Sequence, residues 1–182
     1  MIPQVEVLEP RCCPTITLTK GTLLVIGTPG EDTIQVERVG KKINVSITTQ
    51  DTAEQQSFPT GRVKRVAVEG TVGNDLVTIT NLKQKPVLAK GGEGNDTLSV
   101  QDCQRAVLLG DGGNDVLMGG NGDDVLDGGG GDDTLYGGLG DDTLTGGFGT
   151  DILLGQQGVD TFYSGQDTDV LDLEPGETFI LL

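Results

Sequence analysis

Aspartate recurs at a regular spacing in the second half of the chain, in a pattern that could bind divalent cations. Carboxylate oxygens are hard ligands, and evenly spaced carboxylates suit Ca²⁺ or Mg²⁺. The chain has no histidine, which excludes Ser-His and Cys-His nucleophile pairs and all imidazole metal ligands. We therefore predict a metal-binding protein and not an enzyme. The eight aspartates are Asp96, Asp115, Asp124, Asp133, Asp142, Asp151, Asp160 and Asp169.

Each of these aspartates is the sixth residue of a nonapeptide. Seven consecutive copies run from Gly110 to Asp172 without insertion, and an eighth, GGEGNDTLS, begins at Gly91. The eighth residue of every copy is large and apolar. These residues are Leu98, Leu117, Leu126, Leu135, Leu144, Leu153, Phe162 and Leu171. Repeats of this kind predict a solenoid, in which each unit buries its apolar face against its neighbours.

The elements that must position the aspartates are short strands joined by glycine turns. Glycine at the first, second and fourth positions permits positive φ in a tight turn, and the next three residues alternate as a strand with the eighth facing inward. Two nonapeptides form one coil, so that residues 18 apart stack about 4.8 Å from each other in a parallel ladder. We predict an all-β fold, a right-handed parallel β-roll or β-helix solenoid.

The charge distribution makes such a stack unstable without cations. All 12 Lys and Arg lie in residues 1–105, together with 12 acidic residues, whereas residues 106–182 hold 16 acidic and no basic residues. Two carboxylates at the stacking distance repel by roughly 3.5 kcal/mol at an effective dielectric constant near 20. Ca²⁺ fits the oxygen ligands and exposed turn carbonyls better than Mg²⁺, which needs a smaller octahedral shell. The same acidic charge should exclude nucleic acid as a partner.

The repeat resembles the pattern G-G-x-G-x-D-x-U-x of the RTX (repeats-in-toxin, haemolysin-type) calcium-binding family. The resemblance implies that Ca²⁺ lies between stacked turns, bound by the eight aspartates and by backbone carbonyls. It implies about five to six ions, between residues Asp115 and Asp133 and the equivalent pairs on both edges, with Asp96 and Asp115 as the sixth pair. The carbonyls it implies belong to Gly110, Gly112, Gly113, Gly119, Gly120, Gly122, Gly128, Gly129, Gly131, Gly137, Gly138, Gly140, Gly146, Gly147, Gly149, Gly155 and Gly158.

Two weaker copies, GTPGEDTIQ from Gly27 and GTVGNDLVT from Gly70, indicate that the solenoid continues upstream. Whether Asp32 and Asp75 bind metal is left open, and a separate β-sandwich over residues 15–90 is the rival interpretation. Residues 48–62 are expected to form a long loop, and TFILL (178–182) to fold over the last coil. The predicted organisation is an N-terminal segment or cap (1–20), an irregular solenoid half (21–109), the regular roll (110–172) and a C-terminal cap (173–182).

The predicted function is a calcium-binding module that folds outside a bacterial cell, exported by type I secretion. The alternative is an adhesin-like module that binds a polysaccharide or surface on the roll. No run of 18 apolar residues occurs, so no membrane span is expected. One outward face is more apolar than the other, which suggests a second copy or a neighbouring domain as its cover. That face carries Val116, Met118, Tyr136, Ile152, Leu154 and Val170.

Overall fold

Alternating inward and outward side chains favour short strands, and the part of the chain that the structure describes contains eighteen of them. The structure is a computed structural model, and it describes residues 13–165, 169–173 and 175–181. The strands form two nine-stranded sheets, which face each other across a shared apolar core. Among the described residues, no helix has the length and apolar character needed to cross a bilayer.

Each sheet contains one half of every regular coil. Sheet one contains, in spatial order, β1 (Thr15–Thr19), β2 (Thr22–Ile26), β6 (Arg65–Val72), β8 (Val87–Glu93), β10 (Ala106–Gly112), β12 (Val125–Gly130), β14 (Thr143–Phe148), β16 (Thr161–Ser164) and β18 (Thr178–Leu181). Sheet two contains β17 (Val170–Leu171), β15 (Ile152–Gln157), β13 (Thr134–Leu139), β11 (Val116–Asn121), β9 (Thr97–Cys103), β7 (Leu76–Lys83), β3 (Thr33–Val39), β4 (Lys42–Thr48) and β5 (Ala53–Pro59).

Parallel pairing with an offset of 18 residues sets the core of the regular repeats. Leu117 pairs with Leu135 in sheet two, and Leu126 pairs with Leu144 in sheet one. These leucines are fully buried, because the eighth residue of each nonapeptide faces the opposite sheet. The predicted all-β parallel solenoid with two nonapeptides per coil is confirmed.

The same two sheets continue into the N-terminal half. Strand β2 pairs parallel with β6 and β3 with β7, and both lead without a break into the regular repeats. This continuity argues against a separate β-sandwich over residues 15–90. The first coil differs from the others, because β1 pairs antiparallel with β2, and β4 and β5 extend sheet two as an antiparallel meander.

The prediction of a long loop at residues 48–62 is wrong. This segment contains β5, which pairs with β4 over its whole length, followed by a short 3-10 turn at Thr60–Arg62. The sequence AEQQSFP hides the strand because only Phe58 packs against the core, whereas most of its other side chains are exposed. Backbone pairing with β4 and not apolar alternation orders this strand.

At the other end, Thr178–Leu181 adds a strand to the solenoid. Strand β18 pairs parallel with β16, placing Phe179 beside Phe162. Phe179 is 46% exposed and Leu181 67% exposed, so this strand extends sheet one and leaves its own side chains open. Residues 1–12 of the predicted N-terminal segment, residues 166–168 of the predicted roll and residues 174 and 182 of the predicted cap lie outside the described residues. The four domain limits therefore stay predictions.

Candidate metal centre

The turns between strands bring neighbouring coils closer than any side chain would allow. Gly138 and Gly140, the second and fourth residues of one turn, have φ of 117° and 125°. A Cβ atom on Gly138 would lie 2.1 Å from the carbonyl oxygen of Gly120, and one on Gly140 would lie 2.4 Å from that of Gly122. Glycine at these positions therefore fixes both the backbone conformation and the close stacking of the turns.

Strand alternation then directs each aspartate of the repeat toward the interior. The sixth residue, the eighth residue and the first residue of the next copy all face inward, so that aspartate, leucine and glycine share the inner surface. The aspartates form two columns, one along each edge of the solenoid. The long column contains Asp32, Asp75, Asp96, Asp115, Asp133, Asp151 and Asp169, and the short column contains Asp124, Asp142 and Asp160.

One oxygen of each carboxylate except that of Asp32 is used in a ladder of backbone hydrogen bonds. The Asp115 N–H donates to Oδ1 of Asp133 at 2.7 Å, and the Asp124 N–H donates to Oδ1 of Asp142 at the same distance. The short column ends where the Ala106 N–H donates to Oδ1 of Asp124 at 2.6 Å. Each carboxylate is thereby held in a fixed orientation by the coil before it.

The second oxygen packs against the glycine that begins the copy. A Cβ atom on Gly110 would lie 2.3 Å from Oδ2 of Asp115 and 2.4 Å from the carbonyl oxygen of Gly128 on the next coil. The carboxylate oxygen and the carbonyl oxygen thus both lie beside Gly110, where any side chain would displace them. Six such Oδ2 atoms are buried without a hydrogen-bond partner among the described residues, those of Asp75, Asp96, Asp115, Asp124, Asp133 and Asp142.

Burial makes the charged form of these carboxylates unfavourable. It raises the pKa of Asp115, Asp124 and Asp142 to about 7; the backbone hydrogen bond lowers the pKa, and neighbouring carboxylates raise it further. The pKa of Asp133 rises to about 6 for the same reasons. No Lys or Arg of the described residues forms an ion pair with these four carboxylates. A proton or a cation must therefore neutralise them in the folded state.

The donor set fits a hard divalent cation. The described residues contain no cluster of three acidic or cysteine side chains around one point, so the ligands at each rung would be carboxylates completed by backbone carbonyls. All of these ligands are oxygens, and Ca²⁺ accepts carbonyl oxygens readily in shells of six to eight ligands. Five of the six buried Oδ2 atoms without partners, all but that of Asp96, lie beside a turn carbonyl, and such an ion would satisfy both kinds of oxygen.

The structure places all eight predicted aspartates in the two columns, and it adds members that the sequence left open. Asp32 and Asp75 continue the long column into the N-terminal half. Two hydroxyl groups at its ends were missed. The side chains of Thr28 and Ser164 donate to Asp32 and Asp169, respectively. Both residues replace a glycine of the repeat, since Thr28 is the second residue of GTPGEDTIQ and Ser164 is the first residue of the copy that ends at Asp172.

Comparison with known proteins agrees with this geometry. The family model of the RTX calcium-binding nonapeptide repeat matches residues 89–100, 109–144, 136–171 and 145–179. No curated protein and no solved structure matches the chain.

Proposed function

Because residues 89–179 carry RTX calcium-binding nonapeptide repeats, we propose that this calcium-binding β-roll is a module whose acidic half folds when it binds Ca²⁺. The observation that carries the proposal is the set of buried Oδ2 atoms without partners in both columns. The proposed ligands are the eight aspartates of the repeats and the turn carbonyls of the coils between them. The proposed number of ions is about five to six.

Bound Ca²⁺ supplies the positive charge that the acidic half lacks. The chain itself orients the ligands. Oδ1 of the aspartates accepts a backbone hydrogen bond that fixes the carboxylate, and the glycines leave room for Oδ2. At free Ca²⁺ tenfold above Kd, each site stabilises the folded state by roughly 1.4 kcal/mol, and five sites by roughly 7 kcal/mol. This sum is comparable to the stability of a whole domain, so cation binding decides whether the acidic half folds.

The proposed location is outside a bacterial cell, after type I secretion. The low Ca²⁺ of a cytosol leaves the acidic coils unfolded and transportable, and millimolar Ca²⁺ outside folds them. The chain acts in this proposal as a calcium-dependent structural element without catalysis.

A circular dichroism titration tests the proposal. We expect β-sheet signal to appear cooperatively on addition of Ca²⁺, to appear weakly or not at all with the same concentration of Mg²⁺, and to disappear on chelation. Equal β-sheet signal in chelator and in millimolar Ca²⁺ at pH 7.5 would refute calcium-coupled folding. Calorimetry on the same sample gives the number of ions bound.

A polar groove favours a saccharide-binding module as the second candidate. It has a volume of about 310 Å³ and lies across β3, β4 and β5 on the outer face of sheet two, lined by Gln35, Glu37, Asn44, Val45, Ser46, Gln55, Gln56 and Ser57. Amide and hydroxyl groups in such a row suit the hydroxyls of a sugar. The aromatic residues that could stack on a sugar, Tyr136, Phe148 and Tyr163, do not form one platform, because Tyr136 lies on sheet two and the other two lie on sheet one. Binding on a glycan array, abolished by Asn44→Ala, is the discriminating result.

We also propose that a partner covers the apolar outward face of sheet two. Its residues lie on β11, β13, β15 and β17, and Ile152 and Val170 are 40% and 57% exposed. Cover by a second copy or a neighbouring domain stays a prediction. Analytical ultracentrifugation in Ca²⁺ tests self-association, and a monomer at all concentrations would exclude the second copy.

A further inference from the structure

We infer that the long column contains one further calcium site, at the turn formed by residues 70–75, in the half of the chain that the family model does not match. The inference rests on the proposed function, since it assigns the same cation to a turn whose sequence, GTVGND, departs from the repeat. The ligands it assigns are Oδ2 of Asp75 and the backbone carbonyl of Gly91. The turn before it, residues 27–32, holds no ion.

The hydrogen bonds and close contacts of the Asp75 carboxylate match those of the aspartates in the regular repeats. Its side chain is 3% exposed, its Oδ1 accepts the N–H of Asp32 at 2.8 Å, and its own N–H donates to Asp96 at 2.7 Å. Its Oδ2 is buried and has no hydrogen-bond partner. A Cβ atom on Gly70 would lie 2.3 Å from this Oδ2 and 2.6 Å from the carbonyl oxygen of Gly91. At the Gly110 turn the equivalent atoms, Oδ2 of Asp115 and the carbonyl oxygen of Gly128, lie at 2.3 and 2.4 Å from the corresponding position.

The turn keeps this geometry although its sequence no longer favours it. Its second residue is Thr71, which adopts φ of 104°, a conformation that is rare for a β-branched residue and costs energy. The corresponding residue one coil later is Gly92, with φ of 117°. The Thr71 hydroxyl donates to the carbonyl of Thr28 at 2.7 Å, which helps to hold the turn. The backbone of this turn therefore keeps the conformation of the regular turns, although positive φ is unfavourable for threonine.

Asp32, one coil earlier, shows how the column closes without a cation. Its Oδ2 accepts the N–H of Thr28 at 2.5 Å, and the Thr28 hydroxyl lies 3.1 Å from Oδ1 and 3.2 Å from Oδ2. Thr28 thus satisfies both oxygens of Asp32, and Asp75 is the first carboxylate from the N-terminal end whose Oδ2 lacks a partner.

Counting bound ions in matched variants tests the inference. Asp75→Asn keeps an Oδ1 acceptor for the Asp32 N–H but removes the charged ligand, whereas Asp32→Asn makes the same chemical change at the hydroxyl-satisfied rung. Equilibrium dialysis with ⁴⁵Ca²⁺ should show one ion fewer per chain for Asp75→Asn and an unchanged number for Asp32→Asn. In chelator, Asp75→Asn should show at least as much β-sheet signal as the wild type, since it removes a buried charge. An unchanged ion number for Asp75→Asn, or an equal loss in both variants, would overturn the inference.

Hydrogen exchange of the wild type decides the matter if Asp75→Asn does not fold. Ca²⁺ should slow amide exchange in peptides covering residues 70–80 more than in peptides covering residues 27–36. Equal slowing of both, or of neither, would overturn the inference even when the regular repeats respond. A wild-type chain that binds no Ca²⁺ would instead refute the proposed function, so the two failures are distinguishable.

Discussion

Replacing Asp133 by asparagine should separate the role of the carboxylate charge from that of the hydrogen-bond ladder. Asp133 is buried, its Oδ1 accepts the Asp115 N–H at 2.7 Å, and its own N–H donates to Asp151 at 2.8 Å. Asparagine retains an Oδ1 acceptor and the backbone N–H but cannot supply the charge. Two proposed sites share this aspartate, one with Asp115 and one with Asp151.

The expected loss follows from the number of sites affected. At free Ca²⁺ tenfold above Kd, losing two sites destabilises the folded state by roughly 3 kcal/mol, and the midpoint of the Ca²⁺ titration should rise clearly. In chelator the effect reverses, because the variant buries one charge fewer in an anionic column. Asp169→Asn, at the hydroxyl-satisfied end of the column, should raise the midpoint less.

Asp132→Asn is the matched control. It lies one residue away, is exposed, and its Oδ1 accepts the Thr150 N–H at 2.8 Å in an outer ladder of the same register. An exposed substitution of this kind usually changes stability by less than about 0.5 kcal/mol. The assay is a Ca²⁺ titration followed by circular dichroism, with chemical denaturation at fixed Ca²⁺ for the energies. Equal midpoint shifts for Asp133→Asn and Asp132→Asn would refute the reasoning.

Three further predictions concern pH, the core and a strained turn. The folded-state pKa of Asp115 and Asp142 is raised from 3.8 to about 7, so their contribution to metal-free stability is complete below about pH 4 and is lost as pH rises toward 7; β-sheet signal in chelator should therefore increase on acidification from pH 8 to pH 5, and a flat profile would contradict this. Leu135→Ala should destabilise the Ca²⁺-bound roll by about 3 kcal/mol in chemical denaturation, because Leu135 is fully buried; the half-buried Thr134→Ala is the control. Thr71→Gly should raise the melting temperature, since glycine adopts the φ of 104° without strain, and a lower melting temperature would show that the Thr71 hydroxyl bond to the Thr28 carbonyl outweighs the strain.

The regular half of the fold could be predicted because its periodicity is redundant. Each nonapeptide carries a turn signal, an inward carboxylate and an inward apolar residue, so the register of Leu117 with Leu135 needs no long-range information. The N-terminal end could not be predicted in the same way. Strand β5 has little apolar alternation, and its order depends on pairing with β4, which a local pattern cannot reveal.

The candidate site was likewise predictable from the sequence only in part. The sequence by itself determined the aspartates, the glycines and the absence of basic residues beyond position 105, because all three follow from residue type and spacing. Only the tertiary structure decided which carboxylate oxygens stay without a partner. That outcome depends on stacking, since a neighbouring coil supplies the N–H to one oxygen and a carbonyl beside the other. It also depends on local hydroxyls such as Thr28, which satisfies Asp32 and leaves Asp75 open.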